Sequence, residues 1–169
     1  MDFRAENLLH ADLDAVLAAY ADPDLAGQLG ALTPLSAGEL VDHSREGDVV
    51  HLRVRYAYQG ELPAGATRLV DPSLLTWVLA TDLDLQRRRS FLVLQPDHYA
   101  DRLRARAVER FEPAPLGGTS RITEGRLAVQ MFLVAKAVER ALVSGLEEWL
   151  ANEAVAVDTW IAGRSTPTG

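Results

Sequence analysis

Hydrophobic and polar positions along the chain repeat at two different periods, and the switches between them mark the elements. Residues 2–9 alternate loosely, with Phe3, Ala5, Asn7 and Leu9 in phase, and predict a strand. Asp12 then offers an N-cap, and Leu13, Val16, Leu17 and Tyr20 follow at helical spacing. Asp22-Pro23-Asp24 ends that helix and starts a second short one, because proline suits a first helical turn.

The middle of the chain has period two. Residues 35–45 predict a strand, Glu46-Gly47-Asp48 a tight turn, and residues 48–59 a second strand. In that second strand Val50, Leu52, Val54, Tyr56 and Tyr58 share one face, while His51, Arg53 and Arg55 share the other. Residues 61–72 hold Pro63, Gly65 and Pro72 and read as a loop with at most one helical turn. Residues 74–86 set Trp77, Leu79, Thr81, Leu83 and Leu85 against Asp82 and Asp84; residues 89–95 carry Phe91 and Val93. Residues 102–112 set Leu103, Ala105, Ala107 and Phe111 against Arg102, Arg104, Arg106 and Arg110. A turn from Pro113 to Gly118 leads into a last strand over residues 119–129. Such one-sided alternation is the signature of an antiparallel sheet with one wet face.

From Met131 to Ile161 the period returns to that of a helix. Val134, Val138, Leu142, Gly145, Trp149 and Ala156 form a stripe that Leu146, Leu150, Val157 and Ile161 widen. Lys136, Glu139, Arg140, Glu147 and Glu148 cover the other side. The pattern predicts an α+β domain over residues 1–162: a first strand, two short helices, a meander of about six strands, and one long C-terminal helix. The sheet must bury its apolar face, and that helix is the one element large enough to cover it. Residues 163–169 read as a disordered tail.

Composition narrows the picture. The chain has 169 residues, no cysteine and a net charge of −7. It can build a core without disulfides, and cysteine chemistry is excluded. Acidic balance disfavours nucleic acid as a partner. The N-terminal stretch lacks the basic and apolar regions of a signal peptide, and no apolar run reaches the ~18 residues of a membrane span. The expectation is a cytoplasmic protein without stable membrane insertion. Its oligomeric state stays open, a homodimer included.

Local motifs are scarce. His10, His43, His51 and His98 form no metal-binding pair, and no GxSxG elbow, P-loop or GxGxxG occurs. No cofactor, no metal and no catalytic residue is assigned. Arg87-Arg88-Arg89 reads as a hairpin end. Asp82 and Asp84 read as part of a solvated charged face, with Arg102, Arg104 and Arg106 as ready partners.

The element order, the opening FRAENLLHADLDAVLAAYADPD and the stretch ERFEPAPLGGTSRITEGRLAV together resemble the START-like (SRPBCC) superfamily, over residues 2–162. More narrowly, the run from Gly117-Gly118-Thr119 to Gln130 resembles an actinobacterial family of unknown function within it. Val138-Glu139 matches an Ile-Glu pair expected there. Phe132 and Ala135-Lys136 depart from an expected proline and glycines.

The superfamily resemblance implies the helix-grip fold, a curved antiparallel sheet of six or seven strands around the long helix. It also implies a cavity for an apolar or amphipathic small molecule. The residues that would line it are Val50, Leu52, Val54, Tyr56, Tyr58, Trp77, Leu79, Phe91, Leu103, Val138, Leu142 and Trp149. Alternation alone reads the same side chains as a filled core. Glu109 is in phase with Leu103, Ala105 and Phe111, so a regular strand aims it inward, where it could act as acid or base. Its place near a strand end favours an exposed or arginine-paired carboxylate instead. Glu124 carries the same argument with less force. Binding of a hydrophobic small molecule such as a lipid, isoprenoid or polyketide ranks first. A cyclase or aromatase, needing at least two polar groups converging inside the cavity, and a protein-interaction domain with a filled core are the alternatives.

Overall fold

The computed structural model describes residues 1–62, 66, 70–131 and 133–165. Pro63, Gly65, Phe132 and residues 166–169 of the expected tail lie outside the described residues. Seven strands form one antiparallel sheet: β1 (Asp2–Leu9), β2 (Glu39–Glu46), β3 (Val49–Ala57), β4 (Thr76–Asp84), β5 (Arg89–Pro96), β6 (Leu103–Pro113) and β7 (Thr119–Val129). Their spatial order is β1-β7-β6-β5-β4-β3-β2. Helices α1 (Leu13–Ala21) and α2 (Leu25–Gln28) follow β1, and α3 (Ala135–Ser165) packs along the inner face of the sheet. A 3-10 turn occupies Pro72–Leu74.

The junction between β1 and α1 is tied to α3. The Asp158 carboxylate accepts from the backbone N–H groups of His10 at 2.7 Å and Ala11 at 3.0 Å. Asp12 occupies the N-cap position with extended backbone, but its side chain makes no capping hydrogen bond. The turn before β7 closes against the same junction. Gly118 has φ 83°, and a Cβ there would stand 2.3 Å from the Leu9 carbonyl oxygen, so only glycine fits.

The last helix differs from its prediction at both ends. Leu133 takes a left-handed φ of 68°, which no helix accommodates, so α3 starts at Ala135 rather than Met131. At the other end it continues through Gly163 and Arg164 to Ser165. Arg164 pairs with Asp22 at 3.4 Å and lies over the Trp160 ring at 4.4 Å, which holds the last turn against the α1–α2 corner. At about 1.5 Å per residue the helix is about 46 Å long.

Cross-strand register organises the inner face into rungs. One runs Val50–Leu83–Ser90–Glu109–Thr123–Ala5 across β3, β4, β5, β6, β7 and β1. The next runs Leu52–Thr81–Leu92–Ala107–Gly125–Phe3, and the next Val54–Leu79–Leu94–Ala105–Leu127. The outer face carries opposite charges side by side. His51 Nδ1 lies 2.7 Å from Asp82, Arg55 pairs with Asp97 at 3.1 Å, and Glu124 takes both Arg4 and Arg110. Asp84 pairs with Arg87 at 2.6 Å. The two aspartates therefore lie on the polar side with His51 and Arg87 as partners, not with the arginines of β6.

No helix among the described residues is long and apolar enough to cross a membrane.

Candidate ligand cavity between the sheet and the last helix

Two adjoining cavities lie between the inner face of the sheet and α3. The larger, about 110 Å³, is walled by Phe3, Tyr58, Trp77, Leu94, Leu103, Leu127, Leu142 and Leu146. The smaller, about 70 Å³, reaches toward α1 and α2 through Tyr20, Leu25, Leu52, Thr81, Leu83, Ser90 and Glu153. Tyr56, Leu79, Leu92, Glu109 and Trp149 line both. Local sequence explains the larger space. The inward positions of β6 opposite α3 are Ala105 and Ala107, too short to span the gap. Gly125 between them and β1 opens no further room, because the Phe3 ring occupies the place of its side chain.

Most predicted lining residues stand where the alternation puts them. Leu52, Val54, Tyr56, Tyr58, Trp77, Leu79, Leu103, Leu142 and Trp149 line one or both of these cavities. Val138 instead borders a separate void of about 30 Å³ with Leu103 and Leu142. Val50 is fully buried but lines none of these spaces; it packs in the core beside Leu83 and Phe111.

Phe91 is the outright correction. It is 46% exposed on the outer face, opposite Asp82 and Val108, with the Arg89 guanidinium 4.9 Å above its ring. The inward residues of β5 are Ser90, Leu92 and Leu94. Phe91-Leu92-Val93-Leu94 is apolar at every position, so alternation gives no phase there, and the phase follows from pairing with β4.

Glu109 also departs from the favoured expectation. Its strand is regular through that point, it is 5% exposed, and its carboxylate accepts from Thr123 Oγ1 at 3.2 Å. Glu124 takes the exposed, arginine-paired role instead. Burial, opposed by Arg121 and reinforced by the nearby Glu153, holds the Glu109 carboxyl above the usual carboxylate range.

Beside Glu109 stands a cluster that alternation missed. Arg121 is 1% exposed, and its guanidinium donates to Glu153, to the Tyr20 hydroxyl, to the Leu150 carbonyl at 2.7 Å and to Asn7 at 3.4 Å. The Arg121 Nε has no partner among the described residues. Tyr20 donates in turn to Glu153 at 3.2 Å and packs against Phe111. The network joins β1, α1, β7 and α3 at one end of the smaller cavity. Burial pushes the Tyr20 and Tyr56 phenols upward, so both stay protonated.

Two signals in the sequence pointed at this cluster. Arg121 and Thr123 share the parity of Leu127 and Val129, so counting back by twos turns them inward. Glu153 falls three residues after Leu150 and four before Val157, on the apolar stripe of α3.

Comparison with known proteins agrees with this architecture. No curated protein matches the chain. Among solved structures, TTHA0849 from Thermus thermophilus superposes with a TM-score of 0.68 at 15% identity, covering 98% of this chain and 100% of its own. The Zhui aromatase/cyclase from Streptomyces sp. R1128 gives 0.67 at 16% identity, covering 100% and 98%. Norcoclaurine synthase from Thalictrum flavum gives 0.61 at 19% identity, covering 96% and 86%. These likenesses establish the helix-grip, SRPBCC-type fold. A family model matches residues 6–161, and the chain belongs to that family, described as protein of unknown function (DUF2505).

Proposed function

We propose that this protein binds a small apolar or amphipathic molecule between the sheet and α3. The observation that carries the reading is the larger cavity. Its walls are almost wholly apolar, with aromatic faces from Trp77, Trp149 and Tyr56 and one buried carboxyl at its border. That combination of apolar lining and a few placed polar groups is the usual form of a ligand site. The norcoclaurine synthase of similar fold has been crystallised with dopamine and hydroxybenzaldehyde.

At about 110 Å³ the cavity is below the ~300 Å³ at the small end of ordinary ligand pockets. It suits a small ligand as it stands. A larger one would fuse the two cavities by displacing the shared side chains Leu92 and Trp149.

A second reading, a cyclase or aromatase-like enzyme, is favoured by the convergence of Ser90, Glu109 and Thr123 on one rung. Glu109 would serve there as the acid–base group. Native mass spectrometry of the protein purified gently from its own host tests the main reading. A stoichiometric small molecule is the expected result. An empty protein that also takes up no fatty acid, isoprenoid or aromatic polyketide would overturn it.

A further inference from the structure

The two ends of the cavity system differ in chemistry, and the difference selects a ligand. Away from Glu109 the larger cavity is walled almost wholly by carbon, and the Tyr58 hydroxyl is tied to the Glu61 carbonyl. At the junction three polar groups face the space. Ser90 is 2% exposed, Tyr56 8% and Glu109 5%, and all three line the smaller cavity. The Ser90 and Tyr56 hydroxyls have no hydrogen-bond partner among the described residues, and Glu109 uses only Oε1, toward Thr123. Polar groups this deeply buried are almost always partnered, so three together mark a place that receives polar atoms.

The charges around that place limit what those atoms are. Glu153 from α3 and Arg121 from β7 face Glu109, and Tyr20 from α1 completes the group. Arg121 is the cation of this set, and both its Nη atoms are committed to Glu153, Tyr20, Asn7 and Leu150. An anionic head group would meet two acids, and the one uncommitted donor of Arg121, its buried Nε, belongs to a side chain that lines neither cavity. An ammonium would have to shed its water in an apolar interior close to the Arg121 guanidinium. A hydroxyl or carbonyl oxygen brings no charge and accepts directly from the donors present.

Resting on the cavity reading above, we propose that the ligand is a neutral molecule whose hydroxyl or carbonyl oxygen is held by Glu109, Ser90 and Tyr56, with its apolar part in the larger cavity. Free carboxylates of the same shape are rejected. The site therefore selects alcohols, ketones or phenols over fatty acids.

The test is a matched series of octane, octanol, octanone, octylamine and octanoate, titrated against the full chain near neutral pH. Tryptophan fluorescence reports occupancy, since Trp77 and Trp149 line the space, and calorimetry checks it. Octanol and octanone should bind at least about tenfold tighter than octane, octylamine and octanoate. Glu109→Gln keeps a hydrogen-bonding group of the same size and should hold octanol within about threefold. Ser90→Ala combined with Glu109→Leu should reduce octanol to the level of octane, with circular dichroism confirming the fold. Octanoate or octylamine binding as tightly as octanol would overturn the inference while leaving the cavity reading intact, as would octane binding equally well. Failure of the whole series to bind would remove both.

Discussion

β7 has two halves that face the same way and behave differently. Toward its start, Thr119 and Arg121 enter a region filled by Phe111, Tyr20 and Glu153. Toward its end, Leu127 faces Ala105 across the strands and leaves open space. The polar half is packed, and the apolar half is hollow. What separates them is side-chain volume on β6: phenylalanine opposite Arg121, alanine opposite Leu127. Frame and binding site are thus assigned by size, and polarity serves to lock the frame.

The strongest way to break this division is Arg121→Met. It leaves Glu153 buried without its partner and should cost about 3–5 kcal/mol, measured by urea denaturation. Adding Glu153→Leu should restore most of that loss. A single variant as stable as the parent would show that the network does not hold the frame.

Trp149→Ala works on the hollow half. Its ring meets Tyr56 edge-on, centroids 5.8 Å apart, and borders both cavities. Losing it should cost about 3 kcal/mol, the lower part of the range for large-to-small core changes, because one side of the ring already faces space. Ligand affinity should fall as well. Unchanged affinity in the folded variant would contradict the cavity reading.

Glu109 stands on the boundary, and its effect is in pH. Its carboxyl is raised in the folded protein by burial first and by Glu153 next, against Arg121 and the Thr123 hydrogen bond. Folding thus favours the protonated acid. That contribution is complete below the unfolded carboxyl range and is lost as pH rises through the folded value. Glu109→Gln, which cannot ionise, should melt progressively higher than the parent as pH increases from the acid side. Parallel melting curves across that range would refute the assignment.

The smallest effect belongs to the outer face. Phe91→Ser removes an exposed ring and should change stability by no more than about 0.5 kcal/mol and ligand binding not at all.

Legibility in the sequence followed the same line. Where one face was apolar and the other charged, as in β3, β4 and β6, the phase was readable. β5 was apolar on both faces, so Phe91 was turned the wrong way. The first half of β7 presents threonines and an arginine inward, and only counting back by twos from Leu127 and Val129 reveals them. Glu109 was in phase, but an ionisable residue near a strand end reads as exposed until the register with Thr123 and Ser90 is known. The size of the cavity follows from distances between elements, and its one local sign is the pair of short inward side chains Ala105 and Ala107.

The pairing of the first strand with the last has a consequence for how this protein is made. Asp2 pairs with Arg126 and Leu9 with Thr119, so β1 has no strand partner until nearly the whole meander has left the ribosome. Phe3, Leu9, Val16 and Leu17 wait meanwhile for β7 and α3. Contacts so distant along the chain slow folding, because the loop must close before any of them forms. During synthesis the first two elements are thus the segment most dependent on protection from aggregation.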